Sequence, residues 1–324
     1  MRAIRVHEFG DPDQMKLDDV ADPTPGPGQV LVKVAAIGVN PVDTYIRAGV
    51  YAVLPDLPYI PGGDAAGTVE ALGDGVKSFA VGDRVYMASV VGGHQTGATT
   101  EKAVVPVGEL FQLPDNASFA QGATLGVPYA TAYYGLFQRG RAKPGEILFV
   151  HGASGSVGTA AVQLARARGM IVIGSAGTER GRQLVLEQGA HHVLDHTADG
   201  YMDTLRDLTG GSGPNLILEM LADVNLASDL DAVAKYGRIV IIGSRGSIEI
   251  APRMTMGKNV DIRGLALNNC SDDKMRSIHA ALQAGLQNGT LNPVIGREMK
   301  LAEAAAAHVA VLEPGAYGKI VLVP

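Results

Sequence analysis

One segment restricts the fold more than any other: Glu146-Ile-Leu-Phe-Val-His-Gly-Ala-Ser-Gly-Ser-Val-Gly158 and the residues that follow it to Arg168. A short apolar run enters a glycine-dense turn. Beyond the turn, Val157, Ala160, Ala161, Leu164 and Ala165 recur at helical spacing. Strand, glycine turn and helix in that order place a dinucleotide pyrophosphate on a helix N-terminus, where unpaired N–H groups and the helix dipole favour an anion. In this pattern Gly155 lets the backbone approach the phosphates, and Gly158 lets the helix pack closely on the strand. Ala153 replaces the first glycine of the usual fingerprint, so the pattern reads A-x-G-x-x-G. A glycine-rich turn between a strand and a helix is often only a turn. The flanking strand and helix favour nucleotide binding here.

The residues downstream indicate which nucleotide. The helix stops at Gly169, and Met170 to Ser175 reads as a second strand. A site for NAD would carry Asp or Glu near the end of that strand, roughly 20 residues past the glycines, to hold the ribose 2′-hydroxyl. Ser175, Ala176, Gly177 and Thr178 stand there instead, with Glu179 next. Arg180 and Arg182 follow, and His196 ends the third strand. Arginine suits a 2′-phosphate because its planar fork pairs with one through two hydrogen bonds. Either arginine could equally be a solvated helix residue, so the missing acid is the stronger sign. The cofactor expected is NADPH.

At 324 residues the chain has room for two domains. With 46% hydrophobic and 19% charged residues it reads as an ordinary globular protein. The net charge is −6 and no basic run stands out, so the electrostatic footprint of a nucleic-acid binder is missing. Met1 to Val6 reads as a strand rather than a signal peptide, and no apolar run reaches the length of a membrane span. The single cysteine, Cys270, excludes an internal disulfide and any multi-cysteine zinc site. These features give the expectation of a cytoplasmic protein.

The first 120 or so residues read as β-rich. Gln29–Ile37, Ala66–Ala71 and Asp83–Ala88 are strand-like, separated by Gly and Pro. Leu125 to Gln138 reads as a helix bridging two halves. Strands are then expected near 146–151, 170–175, 192–195, 215–221, 238–243 and 260–267, with helices between. That alternation implies βαβ units and a doubly wound parallel sheet, an α/β Rossmann architecture. Helices are expected over Asp272–Gln287 and Ala302–Leu312, and a closing strand over Lys319–Val323 that returns to the first domain.

Several segments together resemble the zeta-crystallin type of quinone oxidoreductase, in the zinc-free branch of the medium-chain dehydrogenase/reductase superfamily. They are Gly38-Val-Asn-Pro-Val-Asp-Thr-Tyr-Ile-Arg47, Val150 to Gly158, Ala176-Gly-Thr-Glu179, Glu219-Met-Leu-Ala-Asp-Val-Asn-Leu226, Ile242-Gly-Ser-Arg-Gly246 and Ala281-Leu-Gln-Ala-Gly285. The resemblance runs nearly end to end. It implies a GroES-like β-rich catalytic domain, 1–124 and 268–324, split around a Rossmann domain at 125–267, with the active site in the cleft. It implies an NADPH site lined by Tyr45, Ser154, Gly155, Ser156, Val157, Gly177, His196, Asn225, Ile242, Gly243, Ser244 and Arg245. Leu265, Ala266 and Leu267 would lie beside the nicotinamide, and Arg182 joins the set as a phosphate partner. A homodimer or homotetramer is also implied.

Zinc-dependent members of the superfamily hold a catalytic metal with an early Cys and with the His of a Gly-His-Glu motif. The matching stretches here are Gly38-Val-Asn-Pro and Gly62-Gly-Asp64, with neither thiolate nor imidazole, so no metal is expected. Asn40 and Tyr45 are the candidate catalytic residues, set against a turn-forming Asn before Pro41 and an ordinary wall tyrosine. Tyr51 and Tyr129 read equally as pocket or core. The stretch from Val90 to Lys102 departs from the family, being longer and without aromatics. The activity implied is NADPH-dependent reduction of a small-molecule quinone. The alternatives are reduction of an activated C=C bond by the same donor, or a structural or RNA-binding role.

Overall fold

The computed structural model of the chain describes residues 1–88 and 97–324. The alternating apolar runs become the strands Ile147–Val150, Ile171–Ser175, His192–Leu194, Leu216–Glu219, Arg238–Ile241 and Asp261–Gly264. Every pair in this sheet is parallel. Across the sheet the order runs His192–Leu194, Ile171–Ser175, Ile147–Val150, Leu216–Glu219, Arg238–Ile241, Asp261–Gly264. The winding therefore reverses between Ile147–Val150 and Leu216–Glu219. Loops diverge at such a reversal and leave a crevice at the carboxyl ends of the strands. Leu148, Phe149, Val150, Leu216, Ile217 and Leu218 are fully buried, as strands covered by helices on both faces must be.

The β-rich part is organised on a long strand, Gln29–Gly38. It pairs antiparallel with Asp64–Leu72 and, along its first half, with Lys102–Pro106. The closing strand Lys319–Val323 joins the same sheet, with Val321 opposite Gly38 and Leu322 opposite Ile37. Ile295–Lys300 then pairs parallel with that closing strand. Ile295–Lys300 and Met15–Asp19 escape a reading of the sequence because they are mostly polar. Only Met299 and Met15 in them are buried, and ladder hydrogen bonds to Lys319–Val323 and Arg2–Val6 hold them in place.

The segment expected as a bridging helix is helical from Leu125 to Arg139, but with wide π turns over Leu125–Tyr129 and Tyr134–Arg139. Pro128 lies inside the first and has no N–H to donate, which removes a rung of the ordinary α ladder. Helix Asp272–Gln287 buries Ile278, Leu282 and Leu286 in the cluster that contains Leu148, Val150 and Leu218. The same helix touches the other sheet, where His279 meets the Tyr86 hydroxyl and Gln283 donates to Gln112 O. The helix thus packs against both parts, and we propose a GroES-like domain of residues 1–124 and 268–324 around a Rossmann domain of 125–267.

Candidate active site

The glycine turn and the start of helix Ser156–Ala167 form one wall of a cavity of about 1000 Å³ between the two sheets. Gly155 is the N-cap at φ −75° and ψ 173°, and no side chain caps the helix. The unpaired N–H groups of a helix start need a partner, and here Gly155, Ser156, Val157 and Gly158 all line the cavity. A Cβ built on Gly155 would have nothing nearer than Gly152 O at 3.5 Å and Ala316 Cβ at 3.6 Å. A Cβ on Gly158 would collide with Ala153 Cα at 2.5 Å. The first glycine therefore keeps open space and the second permits tight packing. A pyrophosphate fits such a cradle.

The rest of the cavity is built from both domains. Ile242, Gly243, Ser244 and Arg245 come from the turn after Arg238–Ile241, and Leu265, Ala266 and Leu267 from the end of the sixth strand. Asp223 fixes the first of these turns, accepting from Arg245 N at 2.8 Å and from Ser244 Oγ at 3.2 Å. The Arg245 N–H holds the Asp223 carboxyl below its usual range. Asn40, Tyr45 and Tyr51 face the cavity from the β domain, whereas Tyr129 lies in the core with its hydroxyl donating to Gln163 Oε1 at 2.8 Å.

Five of the residues expected at the cofactor do not line this cavity: Ser154, Gly177, Arg182, His196 and Asn225. Ser154 is buried, its carbonyl accepting from Gly318 N at 2.7 Å. Gly177 lies against His196, so close that a Cβ would come within 2.8 Å of Nε2. His196 Nδ1 is 3.3 Å from Ser175 Oγ, and burial lowers its pKa. Arg182 is pinned on both sides, at 2.6 Å to Glu179 and 2.6 Å to Asp195. Arg180 instead lies over the Tyr317 ring, 3.9 Å from its centroid. Of the stretch from Val90 to Lys102, residues 90–96 lie outside the described residues.

Asn40 sits in a buried polar cluster. Its backbone N–H donates to Asp43 Oδ2 at 2.8 Å at the start of helix Pro41–Arg47. Its Nδ2 donates to Asp64 Oδ2 at 2.9 Å, and its Oδ1 accepts from Lys319 Nζ. Asp64 also accepts from Val127 N at 2.9 Å. Burial raises Asp43 to about 7, raises Asp64 and lowers Lys319, while the attraction between Asp64 and Lys319 opposes the last two shifts. Lys319 could not be picked from the sequence, because a lysine opening an apolar strand ordinarily reads as solvated.

A second buried cluster is built on His151, the residue just before the glycine turn. His151 Nε2 is 2.7 Å from Asp229 Oδ1 and 3.1 Å from Glu219 Oε2. Burial raises both carboxyls to about 7 and lowers His151. Glu219 accepts from Leu221 N and, at 3.1 Å, from Asn225 Nδ2. The three side chains are close enough to hold a cation. Carboxyls whose ionisation burial opposes are equally met by a shared proton, and the cluster serves to fix the turn after Leu216–Glu219.

A GroES-like β domain joined across a cleft to a doubly wound dinucleotide sheet is the build of a medium-chain dehydrogenase/reductase. Residues 26–115 match the family model described as alcohol dehydrogenase GroES-like domain, and residues 156–284 the one described as zinc-binding dehydrogenase. A quinone oxidoreductase of Homo sapiens is 46% identical, over 99% of this chain and 97% of its own length. A 2-haloacrylate reductase of Burkholderia sp. is 30% identical, over 99% of this chain and 98% of its own length. The crystal structure of Escherichia coli quinone oxidoreductase complexed with NADPH superimposes with a TM-score of 0.88 at 26% identity, covering all of both chains. The chain belongs to the quinone oxidoreductase family.

Proposed function

We propose that the protein is an NADPH-dependent quinone reductase that works without a metal in the cleft between its two domains. One observation carries this reading. A single cavity brings together an open phosphate turn, an apolar wall at Leu265–Leu267 and the polar residues Asn40 and Tyr45. Bound NADPH supplies the reducing equivalents. The turn Gly155–Val157 and the loop Ile242–Arg245 hold the nucleotide, and Leu265, Ala266 and Leu267 exclude water beside the reacting ring. Asn40 offers a hydrogen bond to a quinone oxygen, and Tyr45 positions the ring. A cytoplasmic setting and a homodimer or homotetramer belong to the same proposal, the latter open to sedimentation analysis. Among the described residues no helix is long and apolar enough to cross a membrane.

The donor set argues for metal independence. Where zinc-dependent members would hold a dication, Asn40 and Asp64 already enclose the Lys319 ammonium. An amide is a weak ligand for zinc, and a neighbouring cation repels it. Dialysis against phenanthroline should therefore leave the quinone-dependent rate unchanged. Loss of rate restored by added zinc would contradict this.

The similarity to a 2-haloacrylate reductase favours a second reading, reduction of an activated C=C bond by the same donor. A panel of quinones and alkenals at fixed NADPH separates the two. Faster turnover of quinones supports the first reading, and alkenals as the better substrates would replace it. In the same assay Tyr45→Ala should lower kcat/KM for the quinone on the order of tenfold or more, exceeding its effect on NADPH affinity. Tyr45→Phe tells hydroxyl from ring. Unchanged quinone kinetics in Tyr45→Ala would make Tyr45 an ordinary wall residue.

A further inference from the structure

Lys319 is 1% exposed, at the first position of the closing strand. Burying an ammonium costs several kcal/mol unless it is paired and hydrogen-bonded. The fold makes room for this one: a Cβ at Gly38 would come within 2.8 Å of Lys319 Cε and 2.0 Å of Ala123 O. Lys319 Nζ donates to Asn40 Oδ1 and lies 3.6 Å from Asp64 Oδ2. Asp64 Oδ2 in turn accepts from Asn40 Nδ2 at 2.9 Å. The two ends of the Asn40 amide thus meet opposite charges, its oxygen the cation and its nitrogen the carboxylate. Turning the amide over would set N–H against ammonium and oxygen against carboxylate, which is repulsive at both ends. An amide nitrogen carries two hydrogens, and Asp64 takes one of them.

We propose that Lys319 is a positioning residue for quinone reduction: together with Asp64 it locks the Asn40 amide in the one orientation that leaves its second Nδ2 hydrogen for a substrate oxygen. The proposal rests on the quinone-reductase reading of the same cleft. It assigns Lys319 no contact with substrate and no proton transfer. Its effect passes through Asn40.

A double-mutant cycle tests it. Lys319→Met keeps the stem and removes the ammonium. Quinone kcat should fall on the order of a hundredfold, as for a misplaced catalytic contact, while NADPH Kd, read by fluorescence titration, stays near the wild-type value. In an Asn40→Ala background Lys319→Met should cost almost nothing more, because both changes remove one function. Lys319→Met leaves Asp64 without its cation, so Lys319→Met/Asp64→Asn is measured beside it, with circular dichroism as the check on folding. Lys319→Gln still offers Asn40 Oδ1 a donor. It should recover part of the rate, and it carries the cycle if the Met variants do not fold. Losses that add in full to those of Asn40→Ala, or an undiminished kcat in the folded variants, overturn the proposal. A wild-type protein that leaves quinones untouched would instead overturn the quinone-reductase reading itself.

Discussion

Gly155→Val is expected to fold and to lose NADPH binding. The backbone at Gly155 has ordinary extended angles, so a side chain is not strained there. The nearest atoms to its Cβ stand at 3.5 and 3.6 Å, which is ordinary contact distance. Stability should fall only by the loss of a tolerable N-cap residue, about 1 kcal/mol. The added methyl groups occupy the space in which phosphate oxygens would meet the helix start. Two or more charge-assisted hydrogen bonds are then prevented, each worth about 1.5–3 kcal/mol, so affinity should drop on the order of a hundredfold or more. Gly158→Ala supplies the contrast. Its Cβ would press on Ala153 Cα at 2.5 Å, and overpacking of that kind costs about 1–3 kcal/mol. Gly158→Ala should lower Tm, and Gly155→Val should lower affinity. Normal NADPH titration of Gly155→Val would make the turn structural only.

Removing Arg180 should weaken NADPH binding on the order of tenfold to a hundredfold and leave NADH binding unchanged. Ser175 and Ala176 at the end of the second strand are uncharged, so no carboxylate stands at the place where one would repel a 2′-phosphate. Of the two arginines beyond it, Arg182 pairs with Glu179 and Asp195 at 2.6 Å each. Arg180 lies with its guanidinium carbon 3.9 Å from the Tyr317 ring centroid, a contact that does not neutralise its charge. One charge-assisted contact accounts for the size of the effect. Paired titrations of Arg180→Ala and Arg182→Ala with both nucleotides check it. Equal losses for NADPH and NADH in Arg180→Ala would place the 2′-phosphate elsewhere.

What was legible in the sequence was whatever leaves a local pattern. The central strands of the Rossmann sheet, Ile147–Val150 and Leu216–Glu219, are short and mostly apolar because both of their faces are covered, and the glycine turn announces itself by Gly155 and Gly158 between strand and helix. Ile295–Lys300 left no such pattern, since only Met299 points into the core and its pairing partner is set by tertiary structure. Tyr129 and Tyr51 read alike in sequence, and packing alone sends one to Gln163 and the other to the cleft. Asn40 and Tyr45, singled out by their motif, do line the cleft. Lys319 could not be singled out, because its buried pairing is with two residues more than 250 positions away, Asn40 and Asp64. Arg182, chosen as a phosphate partner, also pairs with Glu179 and Asp195, which no local pattern announces.

The central claim is that this cleft passes the reducing equivalents of NADPH to a quinone. Single-turnover mixing of the NADPH-loaded protein with an ortho-quinone tests it most directly, following the absorbance of the reduced nicotinamide. The account predicts loss of one equivalent of NADPH per occupied site, dependent on the quinone and absent in Gly155→Val. Reduced nicotinamide that stays bound and unchanged at saturating quinone would contradict it.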